Sequence, residues 1–269
     1  MISVPMKSSG AVNRQTVMTI NQQNIQGSKT SRNIKSLNFV KTNSNQNIRP
    51  AMSAPRNSPS RNQGISNVAQ SYAAPQAKAI PTKTIPSLVN PVQKGQKVIL
   101  ENQNKLTKVQ AKFGWNVTNA ACDVDVSAFL LSSSGKVIGD SWFVFYGQET
   151  SPDNSTTFSM DNGQDREIIS IDFNKLNPSV SKIVFVLTIN EAFEKRLNFS
   201  MLKDAYIRII NVLNQELVSF KMDEYYSNVT SMMIGELYQH NGAWKFTAIG
   251  NGVAKDLAGL CEYYGVQVV

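Results

Sequence analysis

Downstream of about residue 92, apolar residues come in short runs separated by turn-forming clusters. Several runs alternate with polar residues, the period-two signature of strands with one buried face. The pattern predicts strands at residues 97–101, 105–113, 124–131, 142–146, 167–172, 182–189, 205–212, 216–222, 232–239 and 244–249. The sharpest turn signal lies in YQHNGAWKF, where Asn241-Gly242 is the dipeptide that a type I′ hairpin requires. After it, Trp244, Phe246 and Ala248 share one face and Lys245 and Thr247 the other. Another turn is expected around Gly135. A helix is predicted over 253–264, because Val253, Leu257, Leu260, Cys261 and Tyr264 form an apolar stripe at helical spacing. Gly265 stands where a left-handed helix terminator belongs. A shorter helix is expected over 199–204. Many short strands with regular turns predict an all-β sandwich or barrel.

Residues 1–91 have a different texture. They are rich in Asn, Gln, Ser, Ala and Pro, with Phe39 and Tyr72 as their aromatics. Too little apolar area is present to offset an ordering entropy of roughly 1–2 kcal/mol per residue. The expectation is a long disordered arm over 1–91, followed by one folded domain over 92–269.

Charge sharpens this division. The net charge is +8, yet residues 1–94 carry twelve Lys and Arg and no Asp or Glu. Residues 95–269 carry fifteen basic and nineteen acidic residues. The basic character belongs to the arm. It suits a phosphate backbone, an anionic lipid or an acidic protein surface. Scarce aromatics disfavour base stacking, and dispersed charges disfavour specific lipid recognition. A solubilising tail, or an arm that drapes over neighbouring subunits, accounts for the same composition.

Two cysteines, Cys122 and Cys261, do not suggest a disulfide framework. The first residues lack the apolar stretch of a secretion signal. The apolar run at 183–187 is too short to cross a bilayer. A cytoplasmic protein with no transmembrane segment is expected.

CDVDVSAFLL holds the most pointed chemistry. Asp123 and Asp125 are two apart and would lie on one strand face, roughly 7 Å from each other. Such a pair is solvated, bound to a cation, or catalytic. A second acidic cluster, SPDNSTTFSMDNGQDREI, carries Asp153, Asp161, Asn162, Asp165 and Glu167. Together the two stretches could supply oxygens for calcium, which takes six to eight at about 2.3–2.6 Å. The spacing is not that of an EF-hand, and Arg166 offers the carboxylates a salt bridge instead.

Catalytic alternatives are thinner. A glycosidase-type carboxylate pair would need one acid singled out by desolvation, which nothing in the sequence marks. His240, the one histidine, adjoins the Asn-Gly turn, and no G-x-S-x-G motif is present. Cys122 faces away from Asp123 and suits a buried, inert thiol. Gly250-Asn251-Gly252 suits a loop-to-helix junction, whose backbone N–H groups could also meet an anion.

VDVSAFLL with GKV, DSWFVFYGQETSPDNS, KIVFVLTI, NFSMLKDAYIRIIN, GELYQHNGAWKF, and AIGNG followed by a segment ending in YYGV resemble the TerD family. These are tellurium-resistance and stress-response proteins. The blocks occur in the family's order over about 92–269. The resemblance implies a β-sandwich of two sheets with short flanking helices, calcium held by acidic loops, and no established catalytic activity. The family's D-x-D-x-D-x-S motif here begins with Ala121 in place of the first aspartate and continues through Asp123, Asp125 and Ser127. Its second loop is matched by Ser151-Pro152-Asp153-Asn154 and by Asp161-Asn162. The acidic stretch after it shortens to one that holds Asp165, Arg166 and Glu167. With one carboxylate lost and an arginine gained, at most one calcium site is expected, weaker than is usual in the family. The function implied is that of a non-enzymatic, calcium-binding stress-response protein acting through protein assembly, with itself or with TerD-like partners. The alternative is a scaffold that keeps the sandwich, weakens metal binding, and assembles or binds nucleic acid through its arm.

Overall fold

A computed structural model of the chain describes residues 80–100 and 106–267. Residues 1–79 of the arm lie outside the described residues. The architecture is mainly β, with two six-stranded sheets. In chain order the strands are β1 (Pro91–Val92), β2 (Lys97–Ile99), β3 (Lys108–Val117), β4 (Val124–Leu131), β5 (Phe143–Val144), β6 (Thr156–Met160), β7 (Glu167–Asp172), β8 (Lys182–Ile189), β9 (Leu202–Asn211), β10 (Glu216–Lys221), β11 (Ser231–His240) and β12 (Ala243–Val253). The first sheet runs β1-β10-β9-β3-β7-β6 and the second β2-β12-β11-β8-β4-β5. All pairings are antiparallel except β1 with β10.

Alternation places the core. From β7, Ile169 and Ile171 join Phe113 of β3, Val126 of β4, Phe185 of β8 and Phe246 of β12 between the sheets. Phe113 and Phe185 meet edge-to-face at 5.5 Å, a geometry that favours the ring quadrupoles. The opposite face of the second sheet is also apolar. Phe129, Phe143, Phe145, Val184 and Val186 lie there beneath the helix α1 (Leu257–Tyr264). Both faces of β4 and β8 are therefore buried, which explains why these strands are runs of hydrophobics rather than strict alternations.

Several boundaries depart from the sequence pattern. The helix begins at Leu257, capped by the Asp256 side chain, which accepts from the Gly259 N–H. Val253 belongs to β12, opposite Ser231. Gly250, Asn251 and Gly252 also lie within β12 rather than in a junction before the helix. The predicted helix over 199–204 is a single 3-10 turn, Phe199–Met201, before β9 takes over at Leu202. There the ladder with β3 claims the backbone: Leu202 pairs with Val117. Two strands the pattern does not show are β1, with two residues, and β6, whose TTFSM lacks an apolar period. The predicted hairpin turn is present, with Asn241 and Gly242 at φ of 52° and 78°. Gly265 ends α1 at φ 84°.

Residues 80–91, grouped with the arm by composition, are attached to the first sheet. The Lys83 backbone exchanges two hydrogen bonds with the Asn116 side chain, at 2.8 and 2.9 Å. The Val89 and Asn90 N–H groups both donate to Glu216 Oε1 at 2.8 Å. Pro86 is buried.

Candidate functional site: carboxyls where the two sheets meet

The seven acidic and amide residues singled out by the sequence separate into three places. Asp123, Asp125 and Glu167 form one group. Asp125 lies on β4 and Asp123 just before it, while Glu167 opens β7 in the other sheet. Glu167 heads the inward-facing row that continues as Ile169 and Ile171, so its carboxyl enters the layer between the sheets. It is 3% exposed. Its Oε2 accepts from the Val126 N–H at 2.7 Å. That N–H is available because β5 covers β4 only at Ala128 and Phe129.

The three carboxyls are linked electrostatically. Burial, then repulsion by Asp123, pushes Asp125 up to about 8 from an ordinary 3.8. Glu167 is also held well above its ordinary value, by burial first and then by the charge of Asp125. The Val126 hydrogen bond and the positive charge of Arg166 offset only part of this. Burial, followed by the charges of Asp125, Asp123 and Glu167, raises the Tyr146 hydroxyl. Ser127, two residues along β4 from Asp125, has its Oγ buried without a hydrogen-bond partner.

The other four candidates sit elsewhere. Asp153 organises its own loop: Oδ1 accepts from Ser151 Oγ at 2.7 Å and from the Ser155 N–H at 3.0 Å, and Oδ2 from the Asn177 N–H at 2.8 Å. Burial pulls its carboxyl up, but these hydrogen bonds outweigh it and hold Asp153 below its ordinary value. The loop adjoins the far end of β7, where the Asp172 N–H donates to the Ser155 carbonyl. By strand rise that is roughly 17 Å from Glu167.

Asp161, Asn162 and Asp165 lie in the turn that joins β6 to β7. Asp161 Oδ2 accepts from the Asp165 N–H at 2.9 Å. Asp165 turns to the outer face of the first sheet, where Arg208 contacts both its oxygens at 3.2 and 2.6 Å and the Tyr206 hydroxyl donates at 2.9 Å. Asn162 is exposed. Sequence spacing did not reveal Tyr206, Arg208 or Tyr146, since each reaches the carboxylates from a distant strand or loop.

Carboxylates and a hydroxyl are hard oxygen donors, so the first group fits calcium in kind. In number it falls short. Among the described residues, no three His, Cys, Asp or Glu side chains converge closely enough to hold a metal ion. Of the seven residues expected as metal ligands, Asp153 is engaged by Ser151, Ser155 and Asn177, and Asp165 by Arg208 and Tyr206 from β9. Of the catalytic alternatives, His240 is exposed at the hairpin. Cys122 and Cys261 are buried, and burial raises both thiols, Cys261 to about 12.

Comparison with known proteins agrees with the resemblance seen in the sequence. The TerD domain model matches residues 89–264. The chain is 42% identical over 171 residues to the tellurium resistance protein TerD of Serratia marcescens, covering 60% of this chain and 89% of that one. It is 40% identical over 171 residues to its namesake from Alcaligenes sp, with the same coverage. Identity to general stress protein 16U of Bacillus subtilis is 38% over 186 residues, covering 65% of this chain and 96% of that one. Extent and identity together establish that this chain belongs to the TerD domain family.

Proposed function

We propose that the chain is a non-enzymatic stress-response module of the tellurium-resistance type, in which Asp123, Asp125 and Glu167, too far apart in the ion-free arrangement to hold a metal, draw together around one weakly bound calcium ion. The observation that carries this reading is the Glu167 carboxyl reaching from one sheet to the Val126 N–H of the other, beside Asp125, with burial raising both carboxyls, Asp123 repelling Asp125, and Asp125 repelling Glu167. A divalent cation would relieve that repulsion and tie the sheets together. The Ser127 hydroxyl is the further oxygen best placed to join them, and water would complete the shell. Raised, buried thiols argue against cysteine catalysis, since the thiolate is the nucleophile. We place the protein in the cytoplasm. No helix among the described residues is long and apolar enough to cross a membrane.

Titration with calcium, followed by thermal melting, tests the proposal. Calcium at ten times its dissociation constant should stabilise by about 1.4 kcal/mol. For a domain of this size that raises Tm by roughly 2–6 °C. Asp125→Asn should lose the response. No shift at about 10 mM calcium overturns the proposal.

Composition favours a second reading alongside the first, in which the basic residues 1–79 engage a polyanion or an acidic partner surface. Binding to nucleic acid should collapse as salt rises from about 50 to 200 mM. Oligomers indifferent to salt, and lost with the arm, would point to protein assembly instead.

A further inference from the structure

The turn from β6 to β7 resembles a cation loop that already has its cation. Its backbone carbonyls point at the side chain of Lys83, which comes from the segment before β1. The Lys83 ammonium donates to the Gly163 carbonyl at 3.0 Å and to the Asp165 carbonyl, and lies 3.5 Å from the Asp161 carbonyl. Three N–H donors thus face three carbonyl acceptors, the full capacity of an ammonium group.

Two further features make this a built arrangement. Lys83 is fixed at its backbone, since its N–H and carbonyl are both held by the Asn116 side chain. The carboxylates of the turn are also spoken for. Asp161 Oδ2 is tied to the Asp165 N–H, and Asp165 is held by Arg208 and Tyr206.

We propose that Lys83 is the resident cation of the 161–165 turn: its ammonium occupies a carbonyl cradle suited to a hard metal ion, orders the turn without metal, and excludes calcium from it. Carbonyl oxygens suit calcium and an ammonium equally as donors. A tethered cation wins at low metal concentration because its effective local concentration is high. The turn is then permanently closed, while the Asp123–Asp125–Glu167 group is unaffected. The proposal does not depend on calcium binding at that group, because it is read as a difference between variant and unaltered chain.

Calorimetric titration with calcium chloride on the full chain and on Lys83→Met is the direct test. Methionine keeps much of the aliphatic stem and removes the charge. The expected result is one additional calcium ion bound per chain in Lys83→Met, at millimolar affinity. Identical stoichiometry in the two proteins, up to about 10 mM calcium, overturns the proposal.

A second measurement needs no variant. Reductive methylation of the unaltered chain, mapped by peptide mass, should modify Lys83 at least tenfold more slowly than the exposed Lys175. Calcium should leave that ratio unchanged. Equal reactivity of the two lysines, or release of Lys83 by millimolar calcium, overturns it.

Discussion

Glu167 Oε2 accepts a hydrogen bond from the Val126 N–H at 2.7 Å, so a carboxyl from one sheet caps the open edge of a strand in the other. The contact is buried, and it joins β7 to β4 where β5 no longer covers the edge. It both ties the sheets and sets Glu167 at the backbone next to Asp125.

Truncation at this position separates the two roles. Glu167→Ala should leave the Val126 N–H buried without a partner and cost about 1–3 kcal/mol. Glu167→Gln retains an acceptor and removes a charge that repels Asp125, so it should cost less, or nothing, in calcium-free buffer. Urea unfolding of both variants at neutral pH measures the difference. Equal losses would show that the charge, not the hydrogen bond, holds the edge.

The pH dependence has a sign that follows from the direction of each shift. Asp125 is raised, to about 8. Its contribution to stability is fully present below its unfolded value and is lost as pH rises through its folded one. Asp153 is lowered. Its contribution is present above the unfolded value and is lost as pH falls through the folded one. Calcium-free protein should therefore melt progressively lower from about pH 5 to pH 8. Asp125→Asn should flatten that decline and leave the acid limb unchanged. A Tm that climbs over the same interval would contradict the coupling of Asp125 to its neighbours.

Asp165 is 2% exposed and holds Arg208 and Tyr206 together on the outer face of the first sheet. Asp165→Ala should cost about 3–5 kcal/mol, because the 3.9 Å contact to Glu216 Oε2 is a weak replacement partner for a largely buried guanidinium. Arg208→Met combined with Asp165→Ala should recover part of the loss, read as a coupling energy in a double-mutant cycle. Strict additivity would argue that the pair is incidental.

Gly114 makes room for this arrangement. It pairs with Tyr206 across β3 and β9, next to a register shift. A Cβ there would lie 2.3 Å from the Tyr206 ring. Gly114→Ala should push the ring away from Asp165 and cost about 1–3 kcal/mol. In a Tyr206→Ala background the same substitution should cost little. An equal cost in both backgrounds would place the strain in the backbone instead.

Strands with a buried face are legible in the sequence. β4, β7 and β8 span the predicted 124–131, 167–172 and 182–189, because burial on one face or both marks each position locally with an apolar residue. The Asn241-Gly242 turn and the Gly265 terminator were legible for the same reason, as each demands a positive φ within one or two residues. β6 was not, since TTFSM carries no apolar period and pairs as an edge strand. The start of α1 was misplaced because Val253 continues the helical stripe in sequence, yet the ladder with Ser231 holds it in β12.

The site divides along the same line. Composition and spacing alone determined which residues carry the acidic chemistry, and that the basic charge is concentrated ahead of the domain, because charge and residue type are local properties. Only the tertiary structure decided that Glu167 reaches the β4 backbone beside Asp125, that Asp165 is taken by Arg208 and Asp153 in part by Asn177, and that Lys83 reaches into the 161–165 turn. Those outcomes depend on strands far apart in sequence becoming neighbours. Once buried together, a carboxylate takes whichever donor satisfies it at least cost in desolvation.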